Sequence, residues 1–290
     1  MNQEKGTEIV VDWEDETSVR MSAAQLYDLV FDGNNKWMLS ANGTLFTYEY
    51  EAIIPGLLKR WYEERQEMQR KMRECGDNEI EREYWDKRQL VKKINLNSLY
   101  GAILNPGCRF FDMRIGQSVT LSGRCITKHM ASKVNEIVAG KYDHKGESVV
   151  YGDTDSVYFS AYKTLEKEIK DGLIPWTRDS VLGLYDKISE EVNSSFKAFM
   201  TRAFHTPATR GEVIAAGREL VASKGLFITK KRYALLYYDK EGKRTDVDGK
   251  EGKMKAMGLD LKRSDTPVFV QDFLSEILYM VLSGNEEKKV

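Results

Sequence analysis

Between Pro55 and Ile103 a helical pattern is interrupted by a single short stretch, Cys75-Gly76-Asp77-Asn78. Pro55 stands where a first helical turn tolerates it. Two long helices, Pro55–Glu74 and Glu79–Ile103, joined by so short a break, must fold back as an antiparallel αα-hairpin. Their polarity predicts a pair that projects into solvent rather than filling a core.

The rest of the chain has to supply the core. With 290 residues, 41% apolar and 31% charged, it is long enough for one large domain or two modest ones. A net charge of −1 excludes a polycation, so any binding of nucleic acid must use local patches. Apolar runs are too short to span a membrane, and the start, MNQEKGTEIVVDWED, lacks the regions of a signal peptide. Cys75, Cys108 and Cys125 are odd in number and widely spaced, which predicts a reducing compartment, the cytoplasm, without disulfides or a zinc site.

Upstream of the helical pair, Glu8–Trp13 and Ser18–Met21 read as a hairpin, Ser22–Phe31 as a short helix, and Asn42–Tyr50 as a strand entered through a turn. Downstream, Arg109–Arg114 reads as extended and Ser118–Ala139 as a helix. Tyr151–Phe159 follows as a hairpin. In Ser180–Phe204, Leu182, Tyr185, Ile188, Val192, Phe196, Phe199 and Met200 recur at helical spacing. Arg218–Gly258 reads as strands with a loop over Asp239–Gly252, and Pro267–Leu282 as a final helix. This order predicts an α+β fold: an antiparallel sheet with helices on one face, plus the helical hairpin.

The stretch VVYGDTDSVYF, Val149–Phe159, places Asp153 and Asp155 at the tip of an apolar hairpin. Adjacent carboxylates repel unless a cation sits beside them. A hard divalent ion, Mg²⁺ or Mn²⁺, would hold both ionised and leave positions open for phosphate oxygens. Two such ions could stabilise the attacking and leaving oxygens of a phosphoryl transfer. The residues alone equally allow two ordinary turn-forming aspartates. On the second long helix, Lys93, Asn97 and Tyr100 fall on one face, which suits a triphosphate and a sugar-base step, or a plain solvated surface. From Arg210 to Tyr233, six basic residues (Arg210, Arg218, Lys224, Lys230, Lys231, Arg232) face only Glu212 and Glu219, a footprint suited to a phosphate backbone. His129, His144 and His205 lack metal-ligand spacing and read as structural or surface residues.

Five stretches carry a resemblance to family B DNA polymerases. YGDTDS (Tyr151–Ser156) resembles the family's third polymerase motif. That resemblance implies Asp155 as the main metal ligand and Asp153 as its less essential neighbour. NSLYG (Asn97–Gly101), after Lys93, resembles the second motif. It implies that Lys93 and Asn97 contact the incoming triphosphate, that Tyr100 packs over the nascent base pair, and that Gly101 permits close approach. EERQEMQRKM (Glu63–Met72) resembles the fingers segment and implies Arg65 at the γ-phosphate. Gln69 stands where the family often has a second lysine, with Arg70 beside it. KKRY (Lys230–Tyr233) resembles the segment that grips primer-template near the primer end. MGLDLKRSDTP (Met257–Pro267) resembles the following palm segment of T-even-type phage polymerases, implying Lys262 and Arg263 as backbone contacts. By this resemblance residues 1–50 form a palm-edge segment, 51–104 the fingers, 105–266 the palm, and 267–290 the start of a thumb.

The family's first motif, a strand ending in an aspartate before Ser-Leu-Tyr-Pro, has no counterpart here, because Ser98–Tyr100 belongs to the second motif. Asp12-Trp13-Glu14 resembles the Asp-x-Glu of proofreading exonucleases, but no further exonuclease acids follow in order. The expectation is therefore a palm-and-fingers portion of a DNA polymerase using Mg²⁺ or Mn²⁺ at a two-metal site completed by a residue outside this chain. Its partners would be primer-template DNA, dNTPs, and a separate chain carrying the exonuclease and first motif, with another for the thumb. It would work in the cytoplasm, that of the host if phage-encoded. Alone it would be inactive or weakly active, with an unpaired edge on its palm sheet. The competing expectation is a non-catalytic module that binds primer-template or nucleotide, or an inactive remnant.

Overall fold

The structure is a computed structural model that describes residues 8–13, 15–31 and 36–284. Glu14, and with it the Asp12–Glu14 reading, lies outside the described residues. The chain divides into two compact units, Met1–Cys125 with Met200–Arg210, and Ile126–Phe199 with Gly211–Val290.

The first unit opens with strands β1 (Glu8–Asp12) and β2 (Ser18–Ser22), antiparallel with Glu8 opposite Ser22. Helix α1 (Ala23–Phe31) follows, then β3 (Trp37–Leu39) and β4 (Leu45–Thr47). The strand expected over Asn42–Tyr50 is confined to Leu45–Thr47, because Gly43, at φ 89°, is spent in the turn. The turn is anchored to α4 (Met113–Ala139): Ala41 N donates to Ser122 Oγ at 3.2 Å, and Asn42 Nδ2 to the Arg114 carbonyl at 3.0 Å.

The long pair matches its expected bounds closely. Helix α2 runs Ile53–Glu74 and α3 runs Glu79–Ile103. Asn78 caps α3: its Oδ1 accepts from Glu81 N at 3.2 Å, while its Nδ2 donates to the Glu81 carboxylate. Neither helix buries a residue except Ile103, as a solvent-projecting hairpin requires. Cations bridge the two helices: Lys71 lies 4.7 Å above the Trp85 ring, and Lys92 pairs with Glu64.

Arg109–Arg114 is not extended. Residues 109–110 turn, and α4 already starts at Met113. Asp112 is the cause: its Oδ1 accepts the Arg114 backbone N–H at 2.8 Å and so caps the helix early.

The second unit holds β5 (Val149–Asp153) and β6 (Ser156–Phe159), α5 (Glu166–Lys170), and α6 (Arg178–Phe204) as far as Phe199. After the short α7 (Ala208–Gly211) come β7 (Leu220–Thr229), β8 (Arg232–Lys240), β9 (Lys243–Arg244), β10 (Lys253–Met257) and α8 (Val268–Ser283). The expected loop over Asp239–Gly252 is partly a hairpin, because Glu241 (φ 51°) and Gly242 (φ 80°) turn β8 into β9.

The α+β class holds, but the sheet is divided. Among the described residues the strands form small antiparallel sheets: β1–β2, β3–β4, β5–β6, and a larger one ordered β10–β8–β7 with β9 beside β8. Val134 of α4 packs with Ile188, Val192 and Phe196 of α6 against Val149 and Phe159 of the β5–β6 hairpin. Ala234 and Leu236 of β8 point at Leu274, Leu278 and Leu282 of α8. Tyr233, of opposite parity, joins Tyr151 and Tyr158 of the β5–β6 hairpin instead. The central strand β8 is therefore covered on both faces, which is why residues 233–236 are all buried.

Candidate nucleotide- and metal-binding residues

The two acids sit where β5 turns into β6. Asp153 pairs with Ser156 across the hairpin, leaving Thr154 and Asp155 as the tip. Thr154 has φ 50°, and its carbonyl accepts the Thr127 hydroxyl of α4 at 2.8 Å. Asp153 is half-buried; Thr154 Oγ1 donates to its Oδ1 at 3.1 Å, and the Tyr151 hydroxyl lies 3.4 Å from its Oδ2. Asp155 is exposed, and its carboxylate takes no hydrogen bond or ion pair among the described residues. The turn leaves the Asp155 carboxylate open to solvent, two residues from Asp153.

The basic tip of the β7–β8 hairpin lies beside these acids, in the same unit. Thr229 pairs with Arg232, so Lys230 and Lys231 form the turn. Four rings join the two hairpins, with Tyr151, Tyr158, Phe227 and Tyr233 at centroid separations of 5.4–5.8 Å. Tyr158 and Tyr233 share a hydroxyl contact of 2.9 Å, and burial pushes the Tyr158 phenol well above its usual pKa. Lys231 N donates to the Tyr151 hydroxyl at 2.9 Å, and Lys231 Nζ lies 3.9 Å from Asp153 Oδ2. Lys230 and Arg232 are exposed, with Arg232 Nε donating to the Gly258 carbonyl at 3.1 Å. Arg263 is held by Asp265 at 2.7 and 2.9 Å. The Lys262 side chain lies outside what the structure describes.

Tyr233 differs from the surface contact that the basic strand suggested. Only 7% exposed, it supports the tip from beneath. The six-residue basic cluster is also smaller than its sequence. Arg218 is turned inward onto Asp186 and the buried Asp239, and Arg210 stacks on the Tyr48 ring at 4.9 Å in the first unit. Lys230, Lys231 and Arg232 remain together as the exposed cationic tip.

The first unit carries the other candidates. Arg65 Nε donates to Gln89 Oε1 at 3.2 Å. Gln89, Lys93 and Asn97 follow at four-residue steps, so Arg65 stands on the same face of the helical pair. Lys93 and Asn97 are exposed, and Tyr100 donates to the Gly116 carbonyl at 3.1 Å. The space beside Gly101 is open. Arg70 offers no substitute for the lysine replaced by Gln69, because Glu67 and Glu74 hold its guanidinium at 2.6–2.9 Å.

Sequence reasoning missed Tyr151, Thr127 and Phe227 as supports of the acid turn. The alternation of β5 placed Tyr151 and Asp153 on one face, and that was the available signal. His129 is structural, as expected: it is buried, stacks on Phe199 at 4.0 Å, and bonds the Tyr142 and Ser195 hydroxyls.

No group of three or more His, Cys, Asp or Glu able to hold a metal occurs among the described residues. Asp153 and Asp155 are nonetheless hard oxygen donors, and the second has no competing partner. They fit Mg²⁺ or Mn²⁺, which take one or two carboxylates and fill their remaining positions with water and phosphate oxygens.

The sequence model of DNA polymerase family B matches residues 11–173. The chain is 34% identical over 210 residues to a DNA-directed DNA polymerase of Escherichia phage RB69, a match covering 68% of this chain and 22% of that protein. It is 31% identical over 211 residues to the DNA-directed DNA polymerase of Enterobacteria phage T4, covering 69% and 23%. It is 26% identical over 249 residues to DNA polymerase 1 of Pyrococcus abyssi, covering 86% and 26%. The chain thus spans about a quarter of the length of these curated relatives. In fold it is similar to the family B DNA polymerase of the archaeon Pyrobaculum calidifontis, with TM-score 0.50 and 19% identity over 89% of this chain and 26% of the other.

Proposed function

The chain belongs to DNA polymerase family B, and from that premise we propose that it supplies the palm and fingers for template-directed addition of deoxynucleotides to a primer 3′ end. The observation that carries this reading is the free carboxylate of Asp155 beside Asp153, next to a cationic tip of Lys230, Lys231 and Arg232.

Each group has work suited to its chemistry. Arg65 and Lys93, on one helical face, neutralise and orient the triphosphate, with Asn97 as a hydrogen-bonding partner. Tyr100, held through its hydroxyl, offers its ring to the nascent base pair above the open space at Gly101. Lys230, Lys231 and Arg232 grip the primer-template backbone, and Arg263 with Lys262 extends that contact. Asp153 and Asp155 would hold Mg²⁺ or Mn²⁺, which would supply Lewis-acid stabilisation of developing negative charge. Residues 51–104 serve as fingers, 105–266 as palm, 1–50 as palm edge and 267–290 as the thumb's beginning.

Two carboxylates are few for a two-metal site, so the remaining ligand comes from a segment bearing the family's first motif, which these 290 residues do not include. Without that ligand the transition state loses several kcal/mol of stabilisation, roughly thousands-fold in rate. β5 and β6 pair only with each other among the described residues, which supports an edge awaiting such a partner. The same incomplete acid set also favours a second reading, a chain that by itself only binds primer-template and nucleotide.

Primer extension on a labelled primer-template with Mg²⁺ and dNTPs separates these readings. The chain is assayed alone and with a fragment bearing the first motif, each beside Asp155→Ala. Extension only in the mixture, abolished by Asp155→Ala, is the expected result. Extension that survives Asp155→Ala overturns the role given to the acid pair. DNA binding without extension in any mixture favours the binding module.

A further inference from the structure

The Tyr151 hydroxyl joins two groups that lie 80 residues apart in sequence. It accepts the Lys231 backbone N–H at 2.9 Å and points at Asp153 Oδ2 from 3.4 Å, while Lys231 Nζ stands 3.9 Å from that same oxygen. Its ring has little freedom to leave, with Tyr158, Phe227 and Tyr233 at 5.7–5.8 Å around it. Lys231 is held from its other side as well. Its φ is 63°, a conformation that a lysine keeps only when its surroundings impose it, and Gly258 lies against its carbonyl.

We propose that Tyr151 is a positioning residue that makes the acid turn and the basic tip respond as one body. A cation that fixes the Asp153 carboxylate keeps the Tyr151 donor in place, and donation makes the Tyr151 hydroxyl oxygen a better acceptor for the Lys231 backbone N–H. A duplex that fixes the tip holds the hydroxyl, and through it the carboxylate. Divalent cation and primer-template therefore each tighten the binding of the other by one common factor, as linkage demands. The consequence for DNA rests on the polymerase reading above; the joint itself rests on the geometry alone. Neutralisation of the acids by the cation would also favour DNA, but that effect does not pass through a hydroxyl.

Tyr151→Phe removes the joint and keeps the ring. Tyr158→Phe removes a neighbouring hydroxyl of the same cluster, one that bonds Tyr233 instead. Amide hydrogen exchange at Lys231 is measured on wild type and both variants. Exchange roughly tenfold faster or more in Tyr151→Phe alone is expected. Fluorescence anisotropy then gives the Kd for a labelled primer-template with and without Mg²⁺. A Mg²⁺-induced tightening roughly fivefold or more larger in wild type and Tyr158→Phe than in Tyr151→Phe is expected. Equal Lys231 exchange in all three proteins overturns the joint, as does a Mg²⁺ effect in Tyr151→Phe as large as that in wild type. Altered exchange in Tyr151→Phe with no DNA binding by wild type supports the joint and overturns the polymerase reading.

Discussion

A methyl group added to Gly258 would stand 2.1 Å from the Lys231 carbonyl oxygen, because the chain leaving β10 runs directly against the basic turn. Gly258 also has φ 62°, where a side chain is strained whatever the space. Gly258→Ala should cost about 1–3 kcal/mol and push the tip out of place. A lowered Tm together with weaker primer-template binding is the expected pair of observations.

Arg218 is a structural cation. It bonds Asp186 and the buried Asp239, whose side chain is 2% exposed. Arg218→Met leaves that carboxylate in place without its cation, which should cost about 3–5 kcal/mol. Urea unfolding midpoints measure the loss. A change confined to DNA affinity, with stability intact, would return Arg218 to the phosphate-binding set.

Burial lowers the His129 pKa, and the nearby Lys133 ammonium lowers it further, with Glu136 opposing. The unfolded chain, with a His pKa near about 6.5, therefore binds a proton more readily than the folded one. The stability contributed by neutral His129 is complete above that pH and declines as pH falls below it. Tm measured from pH 8 down to pH 5 should drop, and the drop should be smaller in His129→Gln.

Arg65 and Lys93 should contribute to nucleotide affinity with little effect on stability, since Lys93 is exposed and Arg65 makes one neutral side-chain bond. Replacing either with Ala should weaken dNTP binding by about 1.5–3 kcal/mol, the range of a hydrogen bond to a charged group. Nucleotide titration beside thermal melts checks both halves of this expectation. The same substitution at Arg70, held by Glu67 and Glu74, should leave nucleotide binding unchanged.

Asp155→Asn should leave the unfolding free energy within about 0.5 kcal/mol of wild type, as a surface change that breaks no contact. It should weaken Mn²⁺ binding, which paramagnetic resonance reads directly. An unchanged Mn²⁺ affinity would count against Asp155 as a ligand.

Local chemistry was legible wherever it acts within a few residues. The Cys75–Asn78 break and the Asn78 cap set the ends of α2 and α3 nearly to the residue. Asp112 shows the limit of such reading. Its aromatic neighbours Phe110 and Phe111 look strand-like, yet its carboxylate caps the next helix and shortens the expected extended segment to a turn. The strand character of Arg218–Gly258 was legible too, but the turn at Lys230 and Lys231 that separates β7 from β8 was not. The division into separate small sheets was not, because which strand lies beside which depends on packing between distant segments.

By itself the sequence determined the helical hairpin, the acid turn and the family, because each is written in spacing and turn chemistry over a short span. Only the tertiary structure decided which charges are free to act. Arg218 meets Asp239 across 21 residues and is lost to the surface, while Asp155 is left open. Tyr151 acquires its role from Lys231, 80 residues away. A charge or hydroxyl is available for chemistry only if no nearer partner satisfies it, and the nearest partner in space is set by how the whole chain packs.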